Sequence, residues 1–122
     1  MQYLVLMRLS SSARPTTQED GIAFISQYIF PTLELCKKLF EEKKILAGGP
    51  MSGTVALALI VNAESARELD DLITNLPVWP RMETEVTPLT TFEERAQSLH
   101  PRLEQLKAQG RGAGMSAAGG RR

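Results

Sequence analysis

The sequence predicts a single α+β domain in which strands and helices alternate on one antiparallel sheet, and three observations carry that reading. Tyr3 to Leu9 is a short, almost unbroken apolar run; Ile22 to Phe40 repeats apolar residues at three- and four-residue steps; and Met82, Thr84 and Val86 alternate with Glu83, Glu85 and Thr87. A chain of 122 residues with 43% hydrophobic side chains has room for one core and no second domain.

Taken in order, the first strand is apolar on both faces and ends at Ser10-Ser11-Ser12. Thr16 with Glu19, or Thr17 with Asp20, supplies the hydroxyl and acid that satisfy free amides at a helix start. The helix that follows carries Ile22, Ile25, Ile29, Leu33, Cys36, Leu39 and Phe40 on one side, and Pro31 within it predicts a kink or break near Phe30. Gly48-Gly49-Pro50 and Gly53 interrupt the chain, with a short additional strand expected around Ile45 to Gly48. Val55 to Val61 is too apolar for a sheet edge and is expected inside the sheet. Asn62 or Ser65 caps the next helix, whose apolar residues are Ala66, Leu69, Leu72 and Ile73. Two prolines stiffen the connector Leu76-Pro77-Val78-Trp79-Pro80 before the Met82 to Val86 strand.

Strand, helix, two strands, helix, strand is the split βαβ order of a ferredoxin-like sheet, with both main helices on one face. Residues 1–92 form this unit. Residues 93–109 are expected to add a C-terminal helix, split at His100-Pro101, and residues 110–122, with five glycines and no branched aliphatic side chain, read as a disordered tail. The uncovered sheet face needs a partner, and a second copy of the chain is the simplest one, giving a homodimer or a larger homo-oligomer.

The formal net charge is zero. Its distribution is uneven: residues 1–94 hold eight Lys and Arg against thirteen Asp and Glu, and residues 95–122 hold six against one. The acidic body argues against nucleic acid as a partner. The lone Cys36 permits no internal disulfide and, with one histidine, His100, leaves no basis for a metal centre; a reducing, cytoplasmic location is the expectation. The apolar opening is too short for a signal segment, and no run approaches the length of a membrane span, so no membrane partner is expected.

The candidate chemistry is thin and lies on the strands. Glu83 and Glu85, two residues apart, place their side chains about 7 Å apart on one strand face, a workable acid and base pair, or else an ordinary solvated face. Arg8, at the end of the first strand, is a cation among apolar neighbours that can anchor a carboxylate or enolate, or else simply reach solvent. Tyr28, near the expected helix break with Phe24 and Phe30, can donate its hydroxyl to a ligand in the pocket mouth, or else is an amphipathic rim residue of the core. A substrate pocket is expected among Met7, Phe24, Trp79 and Arg81, with Trp79 alternatively locking a protomer interface. Gly48 to Gly53 lacks the Gly-Lys-Ser/Thr ending of a phosphate loop and leads into a strand, so a tight turn is the better reading.

The stretch Leu76-Pro77-Val78-Trp79-Pro80-Arg81-Met82-Glu83-Thr84-Glu85-Val86 resembles the muconolactone isomerase family, in which a helix ends in Leu-Pro, a second Pro follows, and Met precedes a Glu-Val strand. The resemblance extends back through Ser65, Leu69, Asp71 and Ile73 and implies dimeric α+β barrels, often in larger rings, that move a double bond in an unsaturated lactone without a cofactor. It places Glu85 on the family's Glu. Where the family's first strand carries His and Lys, this chain has Leu4 and Leu6, and the family's Trp-Arg pair and later His and Tyr are replaced around Gly49-Pro50 and Gly53-Thr54-Val55. The resemblance therefore implies a cofactor-free isomerase or cyclase acting by proton transfer on a small lactone-like, aromatic or polyketide-like substrate. Cofactor-free oxygenation on the same barrel and a non-enzymatic dimeric ligand-binding module remain as alternatives.

Overall fold

A computed structural model describes residues 1–113. The chain divides into two units, Met1–Leu89 and a second that begins at Thr90.

In the first unit, β1 (Gln2–Leu9), β2 (Ile45–Pro50), β3 (Ala56–Asn62) and β4 (Met82–Leu89) form one sheet in the order β2-β3-β1-β4, with every neighbouring pair antiparallel. The expected inner position of the Val55 to Val61 strand holds. The short strand at Ile45 is a full sheet edge, with a register shift between Ile45 and Ala47.

The alternation of β1 separates the two faces of the sheet. Tyr3, Val5 and Met7 are buried with Leu57, Leu59 and Val61 of β3 under the helices, and Phe24, Leu39, Leu69, Leu72, Ile73, Leu76 and Val78 complete this core. Leu4, Leu6 and Arg8 point the other way, beside Ile60, Ala58 and Ala56 on one side and Thr87, Glu85 and Glu83 on the other.

The helical run begins at Thr17, whose hydroxyl accepts from the Asp20 amide at 3.0 Å, so the second of the two expected caps is used. It proceeds as α1 (Gln18–Phe24), a π-helical turn (Ile25–Ile29) and α2 (Phe30–Glu41) without leaving the helix. The break expected near Phe30 is a widening: the Phe30 amide bonds back to the Ile25 carbonyl, five residues earlier. The wider turn relieves the clash between the Pro31 ring and the preceding turn, and Pro31 then sits at the start of α2, where its missing N–H costs least. Ser65, not Asn62, caps α3 (Ala66–Thr74), accepting from the Glu68 amide at 3.1 Å.

In the second unit, α4 (Phe92–Ala113) is a single helix that passes through Pro101. The split expected at His100-Pro101 does not occur, because a proline inside a helix forfeits one backbone bond and bends the turn without obliging it to end. The helix also takes in Gly110 to Ala113, assigned to the tail on composition; the remainder of that tail lies outside the described residues.

A candidate small-molecule site between helix and sheet

A cavity of about 490 Å³ opens where β1 ends, β3 and β4 begin, and the α1 to α2 helix crosses above them. This is within the usual range for small-molecule sites. Phe24, Ile25, Ile29 and Leu33 line it from the helix, spaced so that the π turn and the α-helical turns beside it present them on one side. Leu9, Leu57, Val78 and Met82 line it from below, and Pro15, Pro50 and Val55 from the loops.

Its polar lining is small. The Thr32 hydroxyl, buried, accepts the Val78 amide at 3.0 Å and so holds the connector against the helix. Thr54 and Arg14 stand at the rim, and Arg14 is the single ionisable side chain that lines the cavity among the described residues. Pro15 follows Arg14 and keeps it extended (φ −67°, ψ 134°) at the end of the 3-10 turn Ser11–Ala13.

That turn is tied down on two sides. The Ser10 amide donates to the Arg81 carbonyl and the Leu9 amide to the Val55 carbonyl, both at 3.0 Å. The Arg81 side chain completes the attachment: its guanidinium lies 4.7 Å from the Tyr28 ring centroid and 5.4 Å from that of Phe24, and Nη1 donates to the Ala13 carbonyl at 3.2 Å. The Phe24 and Tyr28 rings are 6.1 Å apart. Three of the residues singled out from sequence, Phe24, Tyr28 and Arg81, thus form one cluster beside the cavity.

The others are placed apart. Of the four expected pocket residues only Phe24 lines the cavity. Met7 faces the helices but is fully buried in the core, because β1 runs beneath the helical layer there. Arg81 is engaged by the two rings and Ala13, and Trp79, 39% exposed, begins the 3-10 turn Trp79–Arg81 with its amide bonded to the Leu76 carbonyl. Arg8, Glu83 and Glu85 share the sheet face away from the helices, all exposed, with Arg8 directly across from Glu83 in the strand register. Within the chain the carboxylate pair and the cavity are on opposite sides of the sheet. Burial raises the pKa of the Cys36 thiol, in keeping with a packing role for that residue.

Sequence reasoning missed Arg14, Thr32 and Thr54. Arg14 carried a signal, a cation fixed by the following proline in the loop after the first strand. Thr32 carried none, since its role depends on a contact 46 residues away.

Among the described residues no helix is long and apolar enough to cross a membrane, and no group of three or more His, Cys, Asp and Glu is placed to hold a metal ion. No curated protein sequence matches the chain. Among solved structures, muconolactone isomerase at 3.3 Å resolution is similar over 75% of this chain and 90% of its own, with 24% identity and a TM-score of 0.62. The 5-chloro-2-hydroxyhydroquinone dehydrochlorinase of Burkholderia phenoliruptrix AC1100, complexed with 2,5-dihydroxybenzoquinone, is similar over 77% of this chain and 98% of its own, with 20% identity and a TM-score of 0.54. These likenesses show a shared fold. The family profile described as muconolactone delta-isomerase matches residues 1–95, and the chain belongs to that family.

Proposed function

We propose that this protein is a cofactor-independent isomerase or cyclase-like enzyme, converting a small unsaturated, largely apolar molecule by proton transfer in the cavity between helix and sheet. The observation that carries the reading is the cavity itself, open to solvent, apolar along its walls and lined, among the described residues, by one cation, Arg14. Family membership and two structural neighbours that process ring-shaped small molecules support it.

The lining residues define the chemistry available. Aliphatic and aromatic walls exclude water and hold a flat ring in one orientation. To Arg14, at the cavity rim, falls the role of balancing the negative charge that a carbonyl oxygen gains when a neighbouring C–H loses its proton and a dienolate forms. No Asp, Glu, His or Lys lines the cavity. Water at the mouth is then the proton acceptor: the C–H bond breaks, its electron pair moves onto the conjugated oxygen beside Arg14, and a proton returns from water at the far carbon of the system. Such a route suits substrates whose C–H is already acidic through conjugation. The enzyme is proposed to work as a homodimer whose open sheet faces, with half-buried Leu4, Leu6, Ala58 and Ile60, cover each other and bring Glu83, Glu85 and Arg8 to the interface.

The lack of a carboxylate or histidine in the lining also favours a second reading, a dimeric module that binds such a molecule without converting it. Incubating the protein in D2O with a butenolide lactone series and a hydroxyquinone series, followed by NMR and an oxygen electrode, separates the readings. Isomerisation or cyclisation with solvent deuterium entering the product supports the proposal. Oxygen uptake replaces it with cofactor-free oxygenation, and saturable binding without turnover replaces it with the binding module.

A further inference from the structure

The second unit carries a surface that the cavity does not use. Along α4, Phe92, Ala96, Leu99, Leu103, Leu106 and Gly110 recur at alternating steps of four and three, the spacing of a helix that pairs with another helix along a seam. The spacing holds for about three heptads. Leu99, Leu103 and Leu106 are each about half exposed and Phe92 is fully exposed, so this seam is open along its length. Pro101 falls at the position farthest from the seam, where the bond it forfeits and the bend it causes do not disturb a facing helix.

The order of sizes and charges says what covers the seam. Set against a second α4 running the opposite way, with the two-fold axis at Pro101, Leu99 meets Leu103, Ala96 meets Leu106 and Phe92 meets Gly110, so each large side chain faces a small one or an equal. At the flanks the same register brings Glu93 of each copy near Lys107 of the other. Arg102 faces its own copy at the solvent rim, the one like-charged contact, where water screens it. Parallel pairing is poorer: it stacks Ala96 on Ala96 and Gly110 on Gly110, leaving the seam unfilled, and sets Arg102 against Lys107.

We infer that α4 is a self-association helix that pairs, antiparallel and two-fold symmetric, with α4 of a second copy of this chain. Nearly all of α4 lies beyond the residues the family profile matches, so this surface is separate from the family's shared fold. The seam belongs to the second unit, whereas the open sheet face belongs to the first.

Light scattering on the full chain and on Leu99→Glu/Leu103→Glu tests this. The proposal expects the variant to have about half the native mass, or a whole-number fraction of it; equal masses overturn it. Because charged substitutions can also unfold α4, a second measurement uses small apolar replacements in a Cys36→Ala background, with Leu99→Cys and Leu103→Cys made as separate proteins and oxidised alone and mixed. Cross-links that form chiefly in the mixture support antiparallel pairing. Cross-links formed equally well by each protein alone, or none in any sample, overturn it.

Discussion

The guanidinium of Arg81 lies 4.7 Å from the ring centroid of Tyr28, and through that contact the 3-10 turn leading into β4 grips the π turn of the helix above it. The same side chain donates to Ala13, so helix, strand and the loop bearing Arg14 meet at one cation. Arg81→Ala is expected to destabilise the protein by about 1–2 kcal/mol, the sum of a partly desolvated cation–aromatic stack and one hydrogen bond. Arg81→Lys recovers only part of that, since an ammonium keeps the charge but not the planar stacking. Denaturant unfolding of the two variants checks both values.

Two threonines facing the core differ in what their hydroxyls do. Thr32 Oγ1 accepts the buried Val78 amide, so Thr32→Val leaves that N–H without a partner and is expected to cost about 1–3 kcal/mol, while Thr32→Ser retains most of the stability. Thr84 Oγ1 is buried with no hydrogen-bond partner among the described residues, and Thr84→Val is expected to be neutral or stabilising by up to about 1 kcal/mol. Midpoints of urea unfolding for the set give the signs directly.

Gly48 has φ +115°, and a Cβ there would collide with the Ala58 carbonyl oxygen on the neighbouring strand. Backbone cannot yield as a side chain tip does. Gly48→Ala is therefore expected to cost more than about 3 kcal/mol and to lower yield of folded protein. Gly53→Ala, at φ +82° with nothing near its Cβ, meets only the left-handed backbone penalty of about 1–2 kcal/mol. Paired thermal melts distinguish the two causes.

At the start of α4, Glu94 accepts from the Thr91 amide at 3.0 Å and the Thr90 hydroxyl at 3.1 Å, while its own amide donates to Thr91 Oγ1. These bonds favour the ionised carboxylate and hold its pKa below the ordinary 4.5, the Thr91 amide contributing most. A depressed pKa adds stability that is full above the unfolded value and disappears as pH falls through the folded one. Carboxyl NMR is expected to place the Glu94 midpoint below 4.5, with Thr90→Val moving it part-way back; the first turn of α4 frays in the same acid range.

The order of elements was legible because burial imposes a period on each of them: alternation in β1 and β4, three and four in the helices. The helix through Pro31 and Pro101 was not, since a lone proline forbids one hydrogen bond and the surrounding turns decide whether the helix widens, bends or stops. The candidate site was half legible. Phe24, Tyr28 and Arg81 come together as a cluster, yet the strand carboxylates Glu83 and Glu85 and the cation Arg8 share the face away from the cavity. Alternation shows that two residues share a face but not which face the helices cover, and for β4 the exposed Val86 left the pattern weak.

The central claim is that small molecules are taken up between helix and sheet. Methyl NMR during titration with a butenolide lactone or hydroxyquinone that the protein binds tests it most directly. Signals of Ile25, Ile29, Leu33, Leu57 and Met82 are expected to shift together, and Ile25→Trp, which fills the cavity from its exposed side, is expected to abolish those shifts while the protein remains folded. Shifts confined to Leu4, Leu6, Ala58 and Ile60, on the opposite face of the sheet, with Ile25→Trp binding unchanged, would contradict it.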